Sequence, residues 1–517
     1  MEDKLITKNE QSLMEKIQDV SLRRGIAFPT AEIHGGIAGA YDFGPIGTLM
    51  QQNLLKFWRD YFIKLEGHYE ITGSLILPER VFEASGHLEK FCDPLVQCKK
   101  CKGMFRADKI IEKALEKNAD GLSLQELDEI ISENELNCPF CEGDFMKARE
   151  FNLMLRTHVG PFEENVAYMR PETAQNIFTG FKRIAHVMRA KLPFGIAQVG
   201  KVYRNEISPR QFLVRVREFT QMELEVFYAK DQLDKPPHFE ELADEVLPIL
   251  TREQQAKNET EAMEVTVREA VEKEIVPNAA MAYYMAKEKI LFEAVGIAKE
   301  MIRFRHMLPE ETPFYSGGNY DLEVKLSIGW TEVVGNAFRQ QHDLKTHQKA
   351  SNTKMKIQHE QGSVIPYVVE PSIGIERVIY CVLESCYRET EDRDWTWFQF
   401  PATIAPISVK VYPLMKKDGL AEKAHEVYLQ LLDEGFEVDY DESGKIGKRY
   451  ARADEIGTLY CITIDYDTLK DDTVTIRDRD TMEQIRVEIQ ELGDILILLL
   501  TEEYSFEEME EALKIEE

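Results

Sequence analysis

The stretch Val202-Tyr203-Arg204-Asn205-Glu206, followed by Val214-Arg215-Val216-Arg217-Glu218-Phe219 and Gln221-Met222-Glu223, decides how this chain is read. Residues two apart on a strand share a face. Arg204 and Glu206 therefore fall together, as do Phe219, Gln221 and Glu223, while Met222, Leu224, Val226 and Tyr228 form the opposite, core-facing set. Residues 193–228 read as two strands joined by a polar loop. Paired as an antiparallel hairpin, they set both polar rows on one surface, which then offers an arginine, an aromatic ring and carboxylates. That kit suits a nucleotide and a cationic group; an exposed ion-pair lattice is the alternative that spacing leaves open.

Towards the C-terminus, Glu370-Pro371-Ser372-Ile373-Gly374-Ile375-Glu376-Arg377 opens a helix expected over about 373–383, with a core stripe of Ile375, Val378, Ile379, Val382 and Leu383. Arg377 falls in its first turn, where the macrodipole disfavours a cation. A bound phosphate would reverse that sign, and a neighbouring carboxylate partner is the other reading. Segments 324–328 and 364–369 look β-like. Residues 230–310, charged and rich in helix formers, read as a helical insertion.

Towards the N-terminus, an amphipathic segment over about 8–24 leads to Gly35-Gly36-Ile37-Ala38-Gly39 and Gly44-Pro45-Ile46-Gly47, then to Leu54, Trp58, Tyr61, Phe62 and Leu65 at helical spacing. Beyond Thr403, short apolar strands alternate with helical patterns, as in a separate small α/β domain. The run 495–500 reads as a strand or a buried helix turn. The terminal SFEEMEEALKIEE reads as a solvated acidic helix.

Length and composition bound the rest. At roughly 150 residues per domain, 517 residues suggest about three domains. A net charge of −29, from 63 Lys+Arg against 92 Asp+Glu, excludes a generally basic nucleic-acid coat but not a local basic groove. No apolar run reaches the ~18 residues of a membrane span, and the charged MEDKLITKNE start lacks a signal peptide's apolar region. Cys98-Lys99-Lys100-Cys101 and Cys138-Pro139-Phe140-Cys141 supply four thiolates, the ligand set of a closed tetrahedral zinc site in a reducing compartment. A redox pair and unliganded thiols are the alternatives. Cys92, Cys381, Cys386 and Cys461 are isolated and read as packed residues.

These segments resemble motifs 2 and 3 of the class II aminoacyl-tRNA synthetases, and Gly44–Gly47 with its following helix resembles motif 1. More narrowly, Arg170-Pro171-Glu172-Thr173-Ala174-Gln175, Gly329-Trp330-Thr331-Glu332-Val333-Val334-Gly335 and Glu370-Pro371-Ser372 are similar to the glycyl-tRNA synthetases of the homodimeric type. Gly444-Lys445-Ile446-Gly447-Lys448-Arg449-Tyr450 and Asp454-Glu455-Ile456-Gly457-Thr458 resemble that family's anticodon-binding domain. The ordered set runs through nearly the whole chain, and RPETAQ and EPSIG speak against the threonine, proline and histidine relatives.

The resemblance implies an α+β fold: a class II synthetase-like antiparallel-sheet catalytic domain over 1–400, a zinc-binding insertion at 98–141, a helical insertion at 230–310, an α/β anticodon-binding domain at 403–505 and an acidic tail at 506–517. It implies activation of glycine with ATP and Mg²⁺ to glycyl-adenylate, then transfer to the tRNA for glycine, by a cytoplasmic homodimer with structural Zn²⁺ and no membrane association. Arg204 and Arg377 would be the catalytic arginines, holding the α- and γ-phosphates. Glu206 would take the adenine amino group, Phe219 would stack on adenine, Arg215 or Arg217 would reach the outer phosphates, and Glu332 would help bind Mg²⁺ and ATP. Asn205, Val214, Val333, Gly374 and Glu376 complete the implied ATP site. Glu172, Gln221, Glu223, Glu370 and Ser372 would hold the ammonium of glycine, beside Phe219 and Gly374. Arg339 would steer a carboxylate or phosphate, and Arg106 is carried over across the cysteine insertion. The 230–310 segment would touch the tRNA acceptor arm or be a solvated decoration. Lys445, Lys448, Arg449 and Arg452 form a basic cluster suited to phosphate, or a solubilising loop. The alternative function is a catalytically inactive, synthetase-like nucleic-acid-binding accessory protein.

Overall fold

The computed structural model describes residues 11–516 except 120, 163, 210, 313–315, 361 and 392; the readings made on residues 1–10 lie outside it. Its centre is a nine-stranded sheet built from β1 (Tyr69–Ile71), β2 (Phe194–Tyr203), β3 (Glu218–Tyr228), β4 (Val246–Leu250), β5 (Met263–Thr266), β6 (Ile302–His306), β7 (Asn319–Leu326), β8 (Gly329–Gln340) and β9 (Tyr367–Gly374), in the order β5-β4-β6-β7-β8-β9-β3-β2-β1. The expected hairpin forms: β2 and β3 pair antiparallel, with Gln198 opposite Glu223 and Gly200 opposite Gln221. The late strand β9 lies between β3 and β8, antiparallel to both.

Alternation then sorts the two faces. Met222, Leu224, Val226 and Tyr228 join Tyr320, Leu322 and Val324 in the main apolar core. The helices are α1 (Leu13–Arg24), α2 (Pro45–Trp58), α3 (Ala107–Leu115), α4 (Leu124–Glu133), α5 (Ala174–Val187), α6 (Ala279–Ala294), α7 (His342–Ser351) and α8 (Ile375–Cys386). Residues of α1, α2, α6 and α8 close the core face, while α5 packs Ile177, Phe178 and Phe181 near Phe194 and Phe227 on the other. Gly44 precedes α2 and Pro45 takes its first turn. A Cβ at Gly47 would overlap the Ile26 carbonyl, so only glycine lets α2 dock there.

Several boundaries differ from the sequence reading. The strand expected at 364–369 is β9, which runs on to Gly374, so α8 starts at Ile375. The strand expected at 324–328 is β7, which begins at Asn319. The 230–310 segment is not an appended helical decoration: besides helices, it supplies β4, β5 and β6 to the central sheet. Its α6 is buried along nearly its whole length, Lys287, Glu288 and Lys289 included. Part of the charge that suggested a solvated surface lies on this helix and is paired, Lys287 with the buried side chain of Glu66 and Lys289 with Glu245.

The cysteine insertion forms its own layer. Strands Cys92–Gln97, Met104–Arg106 and Arg149–Asn152 make a three-stranded sheet. Val96, Phe105, Ile111, Leu127 and Ile131 pack beneath it with α3 and α4.

The second domain has strands β10 (Val409–Pro413), β11 (Val438–Tyr440), β12 (Tyr460–Ile464), β13 (Thr473–Asp478) and β14 (Gln484–Glu488) in the order β11-β10-β12-β13-β14. Its helices are α9 (Leu420–Asp433), α10 (Ile446–Asp454), α11 (Leu492–Leu500) and α12 (Phe506–Glu516). The run at 495–500 is thus helical. The terminal segment is no free acidic tail, because Phe506 and Met509 are buried in this domain's core. Arg23 of α1 meets Glu455 at 3.0 Å, tying the domains together. Among the described residues no helix is long and apolar enough to cross a membrane.

Candidate active site

The sheet face opposite the main core carries a cavity of about 300 Å³, lined by β3, β8, β9, the loops flanking β2 and the start of α8. Its two ends differ: the lining arginines gather at one, interleaved with carboxylates, and none lines the other.

Arg204, Arg215 and Arg377 stand at one end. Arg204 follows β2; its guanidinium lies 5.2 Å from the Phe219 ring centre and 5.5 Å from that of Phe91, and its Nε donates to the Pro171 carbonyl at 3.2 Å. Arg215 Nε donates to Glu206 at 2.7 Å, so the group expected on adenine is paired with the arginine expected on phosphate. Arg377 uses Nε on the Val214 carbonyl (2.9 Å) and Nη1 on the Glu332 carbonyl (2.8 Å), with the Glu332 carboxylate 3.5 Å away. These contacts hold Arg377 over the first turn of α8 with its charge only partly matched.

The other end is acidic. Glu172, Glu223 and Glu370 line it, with Gln221 and Ser372 between them. Gln221 Nε2 donates to Glu223 (3.0 Å) and to Ser372 Oγ (2.6 Å), Ser372 Oγ donates to Glu223 (3.2 Å), and the Thr173 hydroxyl donates to the second Glu223 oxygen. Burial, then the nearby charges of Glu370 and Glu172, push the Glu223 carboxyl well above its usual range. Burial raises Glu370 as well, against the pull of Arg339. For Glu172 burial is outweighed: His87 and Arg339 hold its carboxyl well below the ordinary value. A small cation placed among these groups would gain what the buried carboxylates lack.

Four of the sequence candidates stand outside the cavity lining. Arg217 is engaged by backbone carbonyls, its Nη1 on Ala38 (2.7 Å) and its Nη2 on Glu206 (2.9 Å), so of the two alternatives only Arg215 faces the cavity. Arg339 is buried behind the acidic end, with two bonds to Asp343 (2.8 and 2.9 Å) and one to Glu370 (2.8 Å). Arg106 is tied to Asp108 and lies 3.2 Å from Asp93. Asn205 gives its backbone N–H to the Leu153 carbonyl at 2.8 Å. Glu376 does line the cavity, yet its carboxylate accepts from the Thr220 N–H (2.8 Å) and Lys201 (3.2 Å), a role in holding β2, β3 and α8 together.

The sequence reading missed Leu213, Val216, Met307, Asn319, Asp321, Gly335 and Ala337, which complete the lining. Asn319 and Asp321 had a signal. They alternate with Tyr320 and Leu322, both in the main core, so period 2 sends them to the cavity face. Burial, then the charge of Glu332, raises the Asp321 carboxyl well above its usual value, despite Arg305 beside it.

In the insertion, Cys98, Cys101, Cys138 and Cys141 converge, their sulfurs all within 4.8 Å of one another. Cys98 and Cys141 are 3.5 Å apart, Cys101 and Cys138 3.6 Å. Four sulfurs at about 2.3 Å from a tetrahedral centre would sit roughly 3.8 Å apart, so the donor set fits zinc. In the second domain the basic cluster divides. Lys445 and Lys448 are exposed, whereas Arg449 is buried and Arg452 pairs with Asp441.

The comparisons with known proteins follow this layout. The family described as tRNA synthetase class II core domain (G, H, P, S and T) matches residues 162–386, and the anticodon binding domain family matches residues 403–498. The glycine–tRNA ligase of Pyrococcus furiosus is 42% identical, over 92% of this chain and 97% of its own length. That of Aeropyrum pernix is 40% identical over 94% and 96%, and that of Methanocaldococcus jannaschii 38% identical over 94% and 99%. The chain belongs to the glycine–tRNA ligase family. The class II core match takes in the β2–β3 hairpin, the acidic pocket and α8, and so contains nearly all of the cavity of this family member. The comparisons give no support to the accessory-protein alternative.

Proposed function

We propose that this protein activates glycine with ATP and transfers it to the tRNA for glycine. The observation that carries the reading is the layout of the cavity: three arginines at one end, two of them held by the lining carboxylates Glu206 and Glu332, and at the other a cluster of three glutamates with no arginine in the lining beside it. A ligand pair that is polyanionic at one end and a small ammonium at the other matches it.

In this reading Arg204 and Arg377 hold the α- and γ-phosphates, and Arg215 moves from Glu206 to the outer phosphates, freeing Glu206 for the adenine amino group. Phe219 supplies the stacking face. Glu332, with Asp321 beside it, offers hard oxygen donors to the Mg²⁺ that accompanies ATP, which would neutralise charge on the outer phosphates. Glycine's carboxylate attacks the α-phosphorus, so the protein's contribution is positioning and electrostatic stabilisation, with no protein nucleophile required. The ammonium lies among Glu172, Glu223, Glu370, Gln221 and Ser372. Gln221, Glu223 and Ser372, drawn together by their mutual hydrogen bonds, crowd the space a side chain would need, and exclusion by overlap is easier than rejecting a smaller competitor at ~1–3 kcal/mol per methylene.

Zinc in the four-cysteine site would organise the insertion, since four thiolates leave no open position. The likeness of the Gly44–Gly47 segment and α2 to motif 1 supports a homodimer, and the exposed Ile33 and Ile37 nearby suit a covered surface. Free cysteines and the absence of a membrane-spanning helix among the described residues agree with a cytoplasmic enzyme.

The test is amino-acid-dependent exchange of pyrophosphate into ATP with glycine, alanine and serine. Exchange with glycine alone supports the reading, and exchange with none overturns it. Arg204→Ala should lower glycine-dependent exchange by at least about a hundredfold while the chain stays folded.

A further inference from the structure

Beneath the acidic end of the cavity lies a carboxylate that the reading above leaves without a task. The register of β3 on β9 places Glu223 opposite Ser372 and Val226 opposite Val369, which sets Glu225 opposite Glu370, one rung deeper. Glu225 is fully buried, does not line the cavity, and neither of its oxygens has a hydrogen-bond partner. Glu223, Glu225 and Glu370 each bring an oxygen within 4.8 Å of the others. Gln198, opposite Glu223 on β2, is equally buried and unpartnered. Below Glu225 the same face becomes apolar, with Phe227 against Phe181 and Phe194.

The charges around this group do not balance three ionised glutamates. From β8 and α7 come Arg339, Asp343 and His347; Arg339 makes two bonds to Asp343 and one to Glu370, so its single charge already serves two carboxylates. Just before α5 comes Glu172, 3.5 Å from His87 and 3.9 Å from Arg339. Arg170 lies over Gly200, but its N–H groups go to the carbonyls of Lys201, Gly73 and Ser74 and to Asn176. Three like charges this close in a dry site cannot coexist, so protons must reside there.

We propose that Glu225 is a neutral carboxylic acid that positions the Glu223–Glu370 pair and keeps its own proton while glycine comes and goes. The carboxylates of Glu370 and Glu223, each with an oxygen within 4.8 Å of it, are acceptors for its O–H, and Glu370 already gives one oxygen to Arg339. Glu223, which faces the cavity, releases its proton to solvent when an ammonium arrives; Glu225 keeps its own. Burial raises both carboxyls; what separates them is that Glu223 lines the cavity and Glu225 does not. Glu225 is thus a positioning residue for glycine, and the inference rests on the reading of the acidic pocket given above.

The test uses the full chain and glycine-dependent pyrophosphate exchange. E225L, which cannot donate a hydrogen bond, should raise the KM for glycine about tenfold with the KM for ATP unchanged. E225Q, which keeps a donor and no charge, should restore the KM and leave its pH dependence in place, whereas E223Q should flatten that dependence. The infrared spectrum of the wild type should hold a protonated-carboxyl band that E225Q lacks, a readout that stands even if E225L does not fold. E225Q as harmful as E225L, E225L indistinguishable from wild type, or no such band would each overturn the proposal. Wild-type protein without glycine-dependent exchange would instead overturn the assignment of the reaction.

Discussion

Arg339 and Glu370 form a buried ion pair, Nη1 to Oε2 at 2.8 Å, and the rest of the arginine fork is closed by Asp343. Glu370 is therefore held from behind, beside Glu223 at the cavity. Arg339 acts on glycine through Glu370. Arg339→Ala would leave Glu370 and Asp343 as buried, uncompensated carboxylates, at a cost of about 3–5 kcal/mol. Thermal unfolding should show that loss, and exchange kinetics at permissive temperature should show a raised KM for glycine with the KM for ATP little changed.

The four-cysteine site predicts one zinc per chain by elemental analysis. Cys138→Ser should lose the metal and open residues 98–141 to proteolysis, because the insertion's small apolar core depends on the knuckles beside it. Chelation of the wild type should give the same cleavage pattern.

Glu288 sits on the buried face of α6, one oxygen accepting from Asn336 Nδ2 at 2.7 Å and the other unpartnered. Burial pushes its carboxyl up to about 8. Between the ordinary carboxyl value and about 8 the folded chain therefore holds a proton that the unfolded chain has released, so stability falls as pH rises through this window. Glu288→Gln removes that loss. Its Tm relative to wild type should climb steadily from about pH 5 to about pH 8; a constant difference would contradict a protonated Glu288.

Arg449 and Lys448 are neighbours with opposite tasks. Arg449 donates to the carbonyls of Pro413 (2.6 Å), Asp441 (3.2 Å) and Leu414 (3.2 Å), stitching α10 to the ends of β10 and β11. Arg449→Ala should destabilise the second domain by several kcal/mol, at about 1.5–3 kcal/mol per charged bond. Lys448→Ala should leave its melting unchanged and weaken tRNA binding, lowering the salt slope by about 1.

The hairpin and its polar row were legible because Met222, Leu224, Val226 and Tyr228 alternate cleanly with Gln221 and Glu223. Arg215 and Arg217 were not separable, since period 2 gives them one face but β3 begins only at Glu218. Their directions are set by different partners, the Glu206 carboxylate for Arg215 and the carbonyls of Glu206 and of Ala38 in the Gly-rich segment for Arg217, which the fold alone brings together. The placement of Arg339 was hidden for a similar reason: Glu370, 31 residues away, meets it only once β8 and β9 pair. In 230–310, charge density concealed strands and a core helix because Lys287 and Lys289 find their partners inside the fold. Asn319 and Asp321 were readable from alternation, had β7 been extended back to its true start.

The place of β9 in the sheet has a consequence for biosynthesis. It is the last of the nine strands to leave the ribosome, yet it separates β3 from β8 and contributes Glu370, Ser372 and Gly374 to the cavity. Until it emerges, the nascent polypeptide carries two incomplete half-sheets whose inner edges face each other unpaired, the kind of template on which chains mis-associate. Translation pausing before residue 374 should thus make the growing protein dependent on chaperones, and completion of a single strand should release it from them.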